Sequence, residues 1–324
     1  MKVLIISSVG DYHARAVMEA LREQGASTEL LDLSEFPDKL ALTMEFDGFA
    51  RRFLFKREGG GTLDLATVGA VWWRRPQPYK VAARVTDQAH RRFAYSEAAT
   101  TLDGLYQSLD AFWINDPRKD AAANHKPWQL AIAQQIGLAI PPTLMTNDPE
   151  EARDFWMRHN NNVIYKMFRA LPEAWRETRR LKPEDAALAD TVRLTPIIFQ
   201  PFVEAVADIR ATVIGNEVYA ASADSREGDY PTDFRFNLNL RWEKHRLPSA
   251  IEDKLRSLMA VMGLEYGAID LRLTPEGEYV FLEINPAGQF LWVELATQQK
   301  IAAALAEHLI AATPAAQAMT ASAY

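Results

Sequence analysis

The chain has 324 residues, of which 48% are hydrophobic and 24% charged, a composition typical of a globular protein with a large core. Its formal net charge of −7 disfavours a general nucleic-acid binder, because such proteins are usually basic. Cysteine is absent, which excludes a disulfide framework, a thiolate metal site and a cysteine nucleophile, and which is typical of a cytoplasmic protein.

The first 118 residues are predicted to form a doubly wound α/β domain. Met1–Val9 has one basic residue and an apolar run too short for a signal peptide or a membrane span, so we expect a buried first strand and no membrane partner. An amphipathic helix follows and ends at Gly25. The pattern then predicts strands Ser27–Leu33 and Val68–Trp73, helix Thr86–Leu109 and strand Ala111–Ile114.

Asn115–Pro117 interrupts this pattern and indicates a domain boundary. We therefore expect a central subdomain over 119–198, a C-terminal subdomain over 199–312 and a flexible tail over 313–324. The predicted helices are His125–Gly137, Pro149–Asn160, Pro183–Ala189, Ser249–Gly263 and Ala296–Ile310, and the predicted strands are Thr143–Met145, Val163–Phe168, Ile197–Phe202 and a pair from Ile209 to Ala221 that turns at Gly215-Asn216.

Ala268–Gly288 is the most informative stretch, and its alternation predicts a β-hairpin. With Glu276-Gly277 as a two-residue turn, Asp270 faces Glu283 across the hairpin. Leu282 is predicted on the apolar face, together with its alternate neighbours on the same strand.

Asp270 and Glu283 would repel each other at this spacing unless positive charge lies between them. Asn285 follows on the same face and adds an amide oxygen. Two carboxylates and one amide are hard oxygen ligands that suit a magnesium ion holding phosphates. Two alternatives remain open, a surface hairpin with solvated acids and an acid/base carboxylate pair like that of glycoside hydrolases.

Two lysines favour a phosphate ligand. Lys126 opens a predicted helix, where the backbone amides and the dipole favour anions. Lys166 lies on a strand between apolar neighbours and is costly to bury unpaired. The alternative for Lys166 is an edge-strand lysine whose ammonium reaches solvent.

The segment FQPFVEAVADIR, from Phe199 to Arg210, is an apolar linker followed by acids. An adenine needs a flat apolar slot with backbone donors and acceptors, and a ribose needs a carboxylate. Asp208 or Glu204 could supply that carboxylate. A plain strand–turn–strand with solvated acids is the alternative.

The ordered set Lys126, Lys166, FQPFVE, ADIR, Asp270 and EINPAG resembles the ATP-grasp superfamily over about residues 115–310. Three strings, VWWRRP at Val71–Pro76, WRETRRL at Trp175–Leu181 and GAIDLRLTPEGEYVFLEINPAGQF, further resemble the graspetide (microviridin-type) peptide ligases. The DIR string and the pattern at Asp233–Asn237 are also similar to RimK-type glutamate ligases. The implied fold is ATP-grasp, α/β with α+β character in the C-terminal half, behind a doubly wound pre-ATP-grasp domain.

The resemblance also implies a role for individual residues. It assigns magnesium, as two ions, to Asp270, Glu283 and Asn285; ATP phosphates to Lys126 and Lys166; adenine to the backbone of Gln200, Pro201, Phe202 and Val203; and ribose to Asp208. Two departures from the family pattern stand out, because Pro201 replaces a common glutamate and the loop after Lys166 lacks glycines.

The chemistry implied is ligation through an acyl phosphate, in which an Asp or Glu side chain of a precursor peptide is activated by ATP. A Ser or Thr hydroxyl or a Lys amine of that peptide then closes an ester or amide ring. Such a peptide is acidic, and basic side chains are predicted to meet it. The resemblance and this charge argument assign catalysis to Arg210, Arg235 and Arg272, and substrate contacts to Arg226, Arg235 and Arg74, the last at the end of a buried strand that faces the cleft.

The expected partner is a ribosomal precursor peptide with a leader segment, and a homodimer is expected because two-fold dimers are the commonest homo-oligomers. A RimK-like ligase that joins an amino acid to a small molecule or a protein terminus is the second hypothesis. A nucleotide-binding regulator without ligase activity is the third, and retention of the metal and lysine set argues against it.

Overall fold

The computed structural model describes residues 2–168, 178–226 and 240–312. Its helices are α1 (Tyr12–Glu23), α2 (Gln88–Ser108), α3 (Pro117–Ala123), α4 (Lys126–Gln135), α5 (Pro149–Arg158), α6 (Ser249–Met262), α7 (Leu291–Thr297) and α8 (Ile301–Ala311). Its strands are β1 (Lys2–Ile6), β2 (Ser27–Leu31), β3 (Leu40–Asp47), β4 (Ala50–Arg57), β5 (Thr62–Asp64), β6 (Val68–Trp73), β7 (Phe112–Ile114), β8 (Leu144–Thr146), β9 (Val163–Lys166), β10 (Arg179–Arg180), β11 (Ile197–Pro201), β12 (Ala207–Ile214), β13 (Glu217–Asp224), β14 (Glu243–His245), β15 (Tyr266–Leu273) and β16 (Tyr279–Asn285).

The N-terminal layer is a parallel sheet in the order β2-β1-β6-β7, with helices on both faces. Helix α1 and the C-terminal helix α8 pack together on one face, where Val17 and Leu305 are fully buried. Helix α2 covers the other face through Leu102 and Leu105. The α/β class and the doubly wound arrangement predicted from the sequence are confirmed.

A three-stranded antiparallel meander, β3-β4-β5, was not predicted. Its exposed face is rich in charged residues, which hid the pattern, although Phe53 and Phe55 alternate into the core of this layer. The short helix α3 is also additional, and Asp116 caps its N-terminus through the backbone N–H of Arg118 (2.8 Å).

The central unit is a sheet in the order β10-β9-β11-β8, covered by α5. Phe155 of α5 packs with Val163 and Phe199 in a small core of its own. A 3₁₀ helix over Pro183–Leu194 stands where a shorter helix was predicted.

The C-terminal unit is an antiparallel sheet in the order β14-β13-β12-β15-β16, and α4 and α6 pack on one face of it. The predicted turn at Gly215-Asn216 is confirmed, because Ile214 pairs with Glu217. The single helix predicted over Ala296–Ile310 is instead α7 and α8, which are separated at Gln298 with φ +57°. Across the described segments, every helix is too short or too polar to cross a membrane.

The hairpin β15–β16 brings the predicted acidic pair together. Asp270 pairs with Glu283, as predicted. The turn differs from the prediction, because the N–H of Gly277 donates to the carbonyl of Thr274 (3.0 Å) and Gly277 has φ +86°. The loop therefore has three residues, Pro275–Gly277, with glycine at the left-handed position.

A β-bulge restores the register that the longer turn would have shifted. Leu271 pairs with Phe281 and Asp270 with Glu283, which leaves Leu282 as the extra residue. Leu282 lines a cavity beside Glu283, whereas Phe281 is fully buried in the core. The prediction that Leu282 lies on the core face is therefore wrong, and the bulge is the physical reason.

Candidate active site

A cavity of about 880 Å³ opens between the central sheet and the C-terminal sheet. It gathers every residue that the sequence assigned to the nucleotide or the metal. These are Lys126, Lys166, Gln200, Pro201, Phe202, Val203, Asp208, Asp270, Glu283 and Asn285, and Arg272 lines it too.

The candidate metal ligands lie at one end of the hairpin, and each carboxylate meets a cation. Nε of Arg210 lies 3.0 Å from Oδ1 of Asp270, and both side chains are less than a tenth exposed. Nζ of Lys126 contacts Oε2 of Glu283. Positive charge thus accompanies both acids, as the expected repulsion requires.

The donor set fits magnesium by its chemistry. Asp270 and Glu283 supply carboxylate oxygens at adjacent positions of two strands, and Asn285 supplies an amide oxygen at the same cavity wall. Within the described ranges, no group of three or more His, Cys, Asp or Glu residues could hold a metal ion, and the third candidate ligand of this set is an amide. Oδ1 of Asn285 accepts from the backbone N–H of Ala287 (3.0 Å), which orients that amide.

Gln129 fixes the distance between Lys126 and the hairpin, and sequence reasoning missed it. Its side chain is 3% exposed, donates to the carbonyl of Ile284 (2.9 Å) and accepts from the N–H of Ile284 (3.1 Å). Both bonds tie α4 to β16, so the lysine at the start of α4 lies over Glu283. The available signal was a glutamine within the apolar pattern of a predicted helix.

The linker wall of the cavity is built on β11. Nε2 of Gln200 donates to Oγ1 of Thr143 (2.8 Å), which holds the strand end. The ring of Phe202 lies between two guanidinium groups, with Cζ of Arg180 at 3.8 Å and Cζ of Arg272 at 5.0 Å from its centroid. Arg180 belongs to the WRETRRL string but had no assigned role.

Asp208 lies in the cavity wall, but its carboxylate is bound by protein. Nε of Arg272 donates to Oδ1 of Asp208 (2.9 Å), and both side chains are about 5% exposed. Nη1 of Arg272 also donates to the carbonyl of Val203 (2.7 Å). This pairing occupies Oδ1 of Asp208, and the ribose contact of Asp208 stays a prediction. The alternative acid, Glu204, is exposed directly after Val203.

Two of the three predicted substrate arginines, Arg74 and Arg226, lie outside the cavity wall. Arg74 is fully buried outside the cavity wall, and its Nη1 donates to the carbonyl of Gly288 (2.7 Å). The prediction that it contacts substrate is therefore wrong. Arg226 is exposed at the end of β13 and its Nε donates to Asp224 (2.9 Å), away from the cavity wall. Arg235 and the Trp175 segment lie outside the described residues.

One cavity residue carries an unusual protonation state. Burial raises the pKa of Asp120 to about 7, and the hydrogen bond that Nδ2 of Asn124 donates to Oδ1 (3.2 Å) only partly opposes that rise. Oδ2 of Asp120 has no hydrogen-bond partner among the described residues. This carboxyl is thus partly protonated at neutral pH.

Two family models match consecutive parts of the chain. Residues 2–121 match the family described as MvdD pre-ATP grasp domain, and residues 123–309 match the RimK-like ATP-grasp domain. A comparison with curated proteins gives no match.

Solved structures match over the whole chain. The macrocyclase MdnC bound with precursor peptide MdnA, from Microcystis aeruginosa MRC, is 32% identical with a TM-score of 0.85, over 96% of this chain and 99% of that one. A Chryseobacterium gregarium RiPP-associated ATP-grasp ligase in complex with ADP, leader and core peptide is 30% identical with a TM-score of 0.88, over 97% of each chain. The ATP-grasp ligase PsnB complexed with minimal precursor, Mg and ADP is 26% identical with a TM-score of 0.78, over 95% of this chain and 96% of that one.

Proposed function

Because this chain belongs to the RimK-like ATP-grasp ligases, with an MvdD pre-ATP-grasp domain ahead of the ligase core, we propose that it closes rings in a ribosomal precursor peptide using ATP. The observation that carries the proposal is the meeting of two phosphate-binding lysine candidates and a two-carboxylate, one-amide set in one cavity. Relatives that are 30–32% identical over nearly their full length are a macrocyclase and a peptide-bound ATP-grasp ligase.

The cavity is proposed to hold ATP with magnesium. Lys126 and Lys166 take the phosphates, and the backbone of Gln200–Val203 lines the adenine. Asp270, Glu283 and Asn285 hold the magnesium, which supplies charge neutralisation for the β- and γ-phosphates when bound. Two ions are proposed, the number that the family resemblance implies, and the same three residues would hold them. The PsnB structure, with Mg and ADP, supports the cofactor class.

The reaction proceeds in two balanced steps. A carboxylate oxygen of an Asp or Glu side chain attacks the γ-phosphorus, and ADP leaves. A Ser or Thr hydroxyl or a Lys amine then attacks the acyl carbon, loses its proton, and inorganic phosphate leaves. Neither step needs an enzyme nucleophile, which agrees with a chain that contains no cysteine.

Arg210 is a proposed catalytic residue that contacts the candidate metal ligand Asp270, while its own side chain lies outside the cavity wall. Its guanidinium is held between Asp270, at 3.0 Å, and the face of Trp292, 5.6 Å from the ring centroid. Cations fixed in a water-poor environment stabilise charge that develops on a transferring phosphoryl group. Arg272, paired with Asp208, braces the wall next to it, and Arg235 remains a proposed catalytic residue.

The proposed partner is an acidic precursor peptide with a leader segment, since two similar solved structures contain a precursor peptide, or a leader and core peptide. A homodimer and a cytoplasmic location are proposed with it.

The test uses the purified chain, Mg-ATP and candidate precursor peptides that are acidic, contain Ser or Thr and carry a leader segment. Mass spectrometry should show the loss of one water per ring, together with one phosphate released per ring. A peptide that gains the mass of an amino acid would instead favour the RimK-like reaction, and phosphate release without any change in peptide mass would overturn ring closure.

A further inference from the structure

The loop that follows Asn285 is held by the N-terminal domain and the domain boundary rather than by its own subdomain alone. Nδ2 of Asn115 donates to the carbonyl of Pro286 (3.0 Å). Nη1 of Arg74 donates to the carbonyls of Ala287 and Gly288. The backbone N–H of Phe290 donates to Nδ1 of His13 (3.4 Å). Four successive anchor points therefore follow the last candidate metal ligand.

Arg74 is the strongest of these anchors. Its side chain is 0% exposed, and its Nε lies 3.2 Å from Oδ2 of Asp11, the residue that caps α1. A buried guanidinium is costly unless its hydrogen bonds are met by acceptors. Here a carboxylate of the N-terminal domain accepts from Nε and two carbonyls of the loop accept from Nη1, whereas Nη2 is buried without a partner among the described residues. The charge therefore joins two parts of the chain that are 213 residues apart in sequence.

The loop after Asn285 packs closely against β15 at Gly288. A Cβ on Gly288 would lie 2.2 Å from Cβ of Ala268, so the loop backbone lies directly on β15. The hydroxyl of Tyr266 donates to the carbonyl of Gly288 (2.9 Å) from the same strand. The loop position is therefore defined relative to the strand that carries Asp270.

The link to the metal site passes through one residue, Ala287. The N–H of Ala287 donates to Oδ1 of Asn285 (3.0 Å), and the carbonyl of Ala287 accepts from Nη1 of Arg74. Because both groups flank the same Cα, a change that displaces Ala287 is expected also to turn the amide of Asn285 with respect to Asp270 and Glu283.

We propose that Arg74 is a positioning residue through which the N-terminal domain completes the metal site. It fixes the position of Ala287 through the carbonyl of that residue, so that the oxygen of Asn285 faces the same point as the two carboxylates. The proposal rests on the proposed function, because it assumes that these three residues hold magnesium. It replaces the substrate contact that the sequence suggested for Arg74.

The test compares Arg74→Gln with Arg75→Gln, since Arg75 is the adjacent exposed arginine. Mutation of a residue that orients a metal ligand typically lowers metal affinity by about 10- to 100-fold. Arg74→Gln should therefore raise the magnesium concentration for half-maximal activity by about tenfold, with the KM for the peptide unchanged. Calorimetric titration of Mg-ADP should show the same weakening without turnover, and hydrogen exchange of residues 285–290 should accelerate.

Arg75→Gln should behave like the wild type in all three measurements. If Arg74→Gln does not fold, Tyr266→Phe removes only the hydroxyl that donates to Gly288, and it should shift the magnesium requirement in the same direction by a smaller factor. A raised peptide KM with unchanged magnesium dependence and unchanged exchange would overturn the proposal. Absence of Mg-ADP binding in the wild type would instead overturn the proposed function itself.

Discussion

Lys126 and Glu283 are separated by 157 residues, yet Nζ of the lysine contacts Oε2 of the glutamate. The contact joins the N-terminus of α4, where backbone amides and the helix dipole favour an anion, to the hairpin that carries the candidate metal ligands. A phosphate site and a magnesium site must be adjacent in a nucleotide-binding enzyme, and this contact places the proposed phosphate lysine beside a proposed metal ligand.

Lys126→Met should weaken nucleotide binding. The substitution removes the ammonium and keeps an apolar stem of similar length, so the KM for ATP should rise about tenfold, the loss typical of one charged hydrogen bond. Steady-state kinetics with varied ATP checks this. Lys119→Met, at an exposed lysine of the preceding helix, is the matched control and should leave the KM unchanged. Equal effects of the two variants would contradict the phosphate role of Lys126.

Glu283→Gln should abolish most turnover without unfolding the chain. It removes a proposed metal ligand, for which we expect a kcat loss of about 100-fold, while the lost carboxylate also relieves repulsion with Asp270. A turnover assay tests the loss of activity, and thermal unfolding of the same sample tests whether the fold is retained. Glu278 is exposed next to the turn of the same hairpin, so Glu278→Gln is the control and should keep full activity. Retained activity in Glu283→Gln would remove this residue from the metal site.

Gln129→Leu should uncouple α4 from β16. The change leaves the buried N–H and carbonyl of Ile284 without their side-chain partner, which costs about 2 kcal/mol in the free energy of unfolding. Urea titration measures this loss. Gln134→Leu, on the exposed side of the same helix, should cost far less. A loss shared equally by both variants would point to helix propensity rather than to the Ile284 bonds.

Asp120→Asn should stabilise the fold in a pH-dependent way. The pKa of Asp120 is raised to about 7 by burial, above its ordinary value of 3.8, so the native state favours the neutral carboxyl. As pH rises from about 4 to 7, the unfolded chain releases this proton before the folded chain does, and wild-type stability falls. Asn mimics the neutral form and avoids that loss.

The melting temperature of Asp120→Asn should therefore exceed that of the wild type by a few degrees at pH 8 and by much less at pH 5. Asp110→Asn, at an exposed position, provides the comparison and should show no such dependence. A gain for Asp120→Asn that is equal at both pH values would contradict the burial argument.

The sequence predicted the hairpin and its facing acids, because alternation and a Pro-Glu-Gly turn are local signals. It could not predict the bulge at Leu282, since a three-residue turn and a bulge shift the register in opposite senses and leave the Asp270–Glu283 pairing unchanged. Only the side on which Leu282 lies distinguishes the two solutions, and that depends on packing against the core.

The contacts of Arg74 could not be predicted from the sequence for a different reason. The charged residue at the end of a buried strand suggested a cleft, but its partners are backbone carbonyls more than 200 residues later. Backbone acceptors leave no signature in residue types. The ion pair between Asp208 and Arg272 was not predicted either, because each residue alone could be assigned to a ligand contact. Only the register of β12 and β15 places the two residues opposite each other.

Transfer of oxygen from the peptide to phosphate tests the central claim most directly. A precursor peptide whose Asp and Glu side-chain carboxylates carry oxygen-18 is incubated with the chain and Mg-ATP. The inorganic phosphate should acquire one labelled oxygen for every ring closed, because the acyl phosphate breaks at its carbon–oxygen bond. Ring closure that leaves the phosphate unlabelled would contradict this claim.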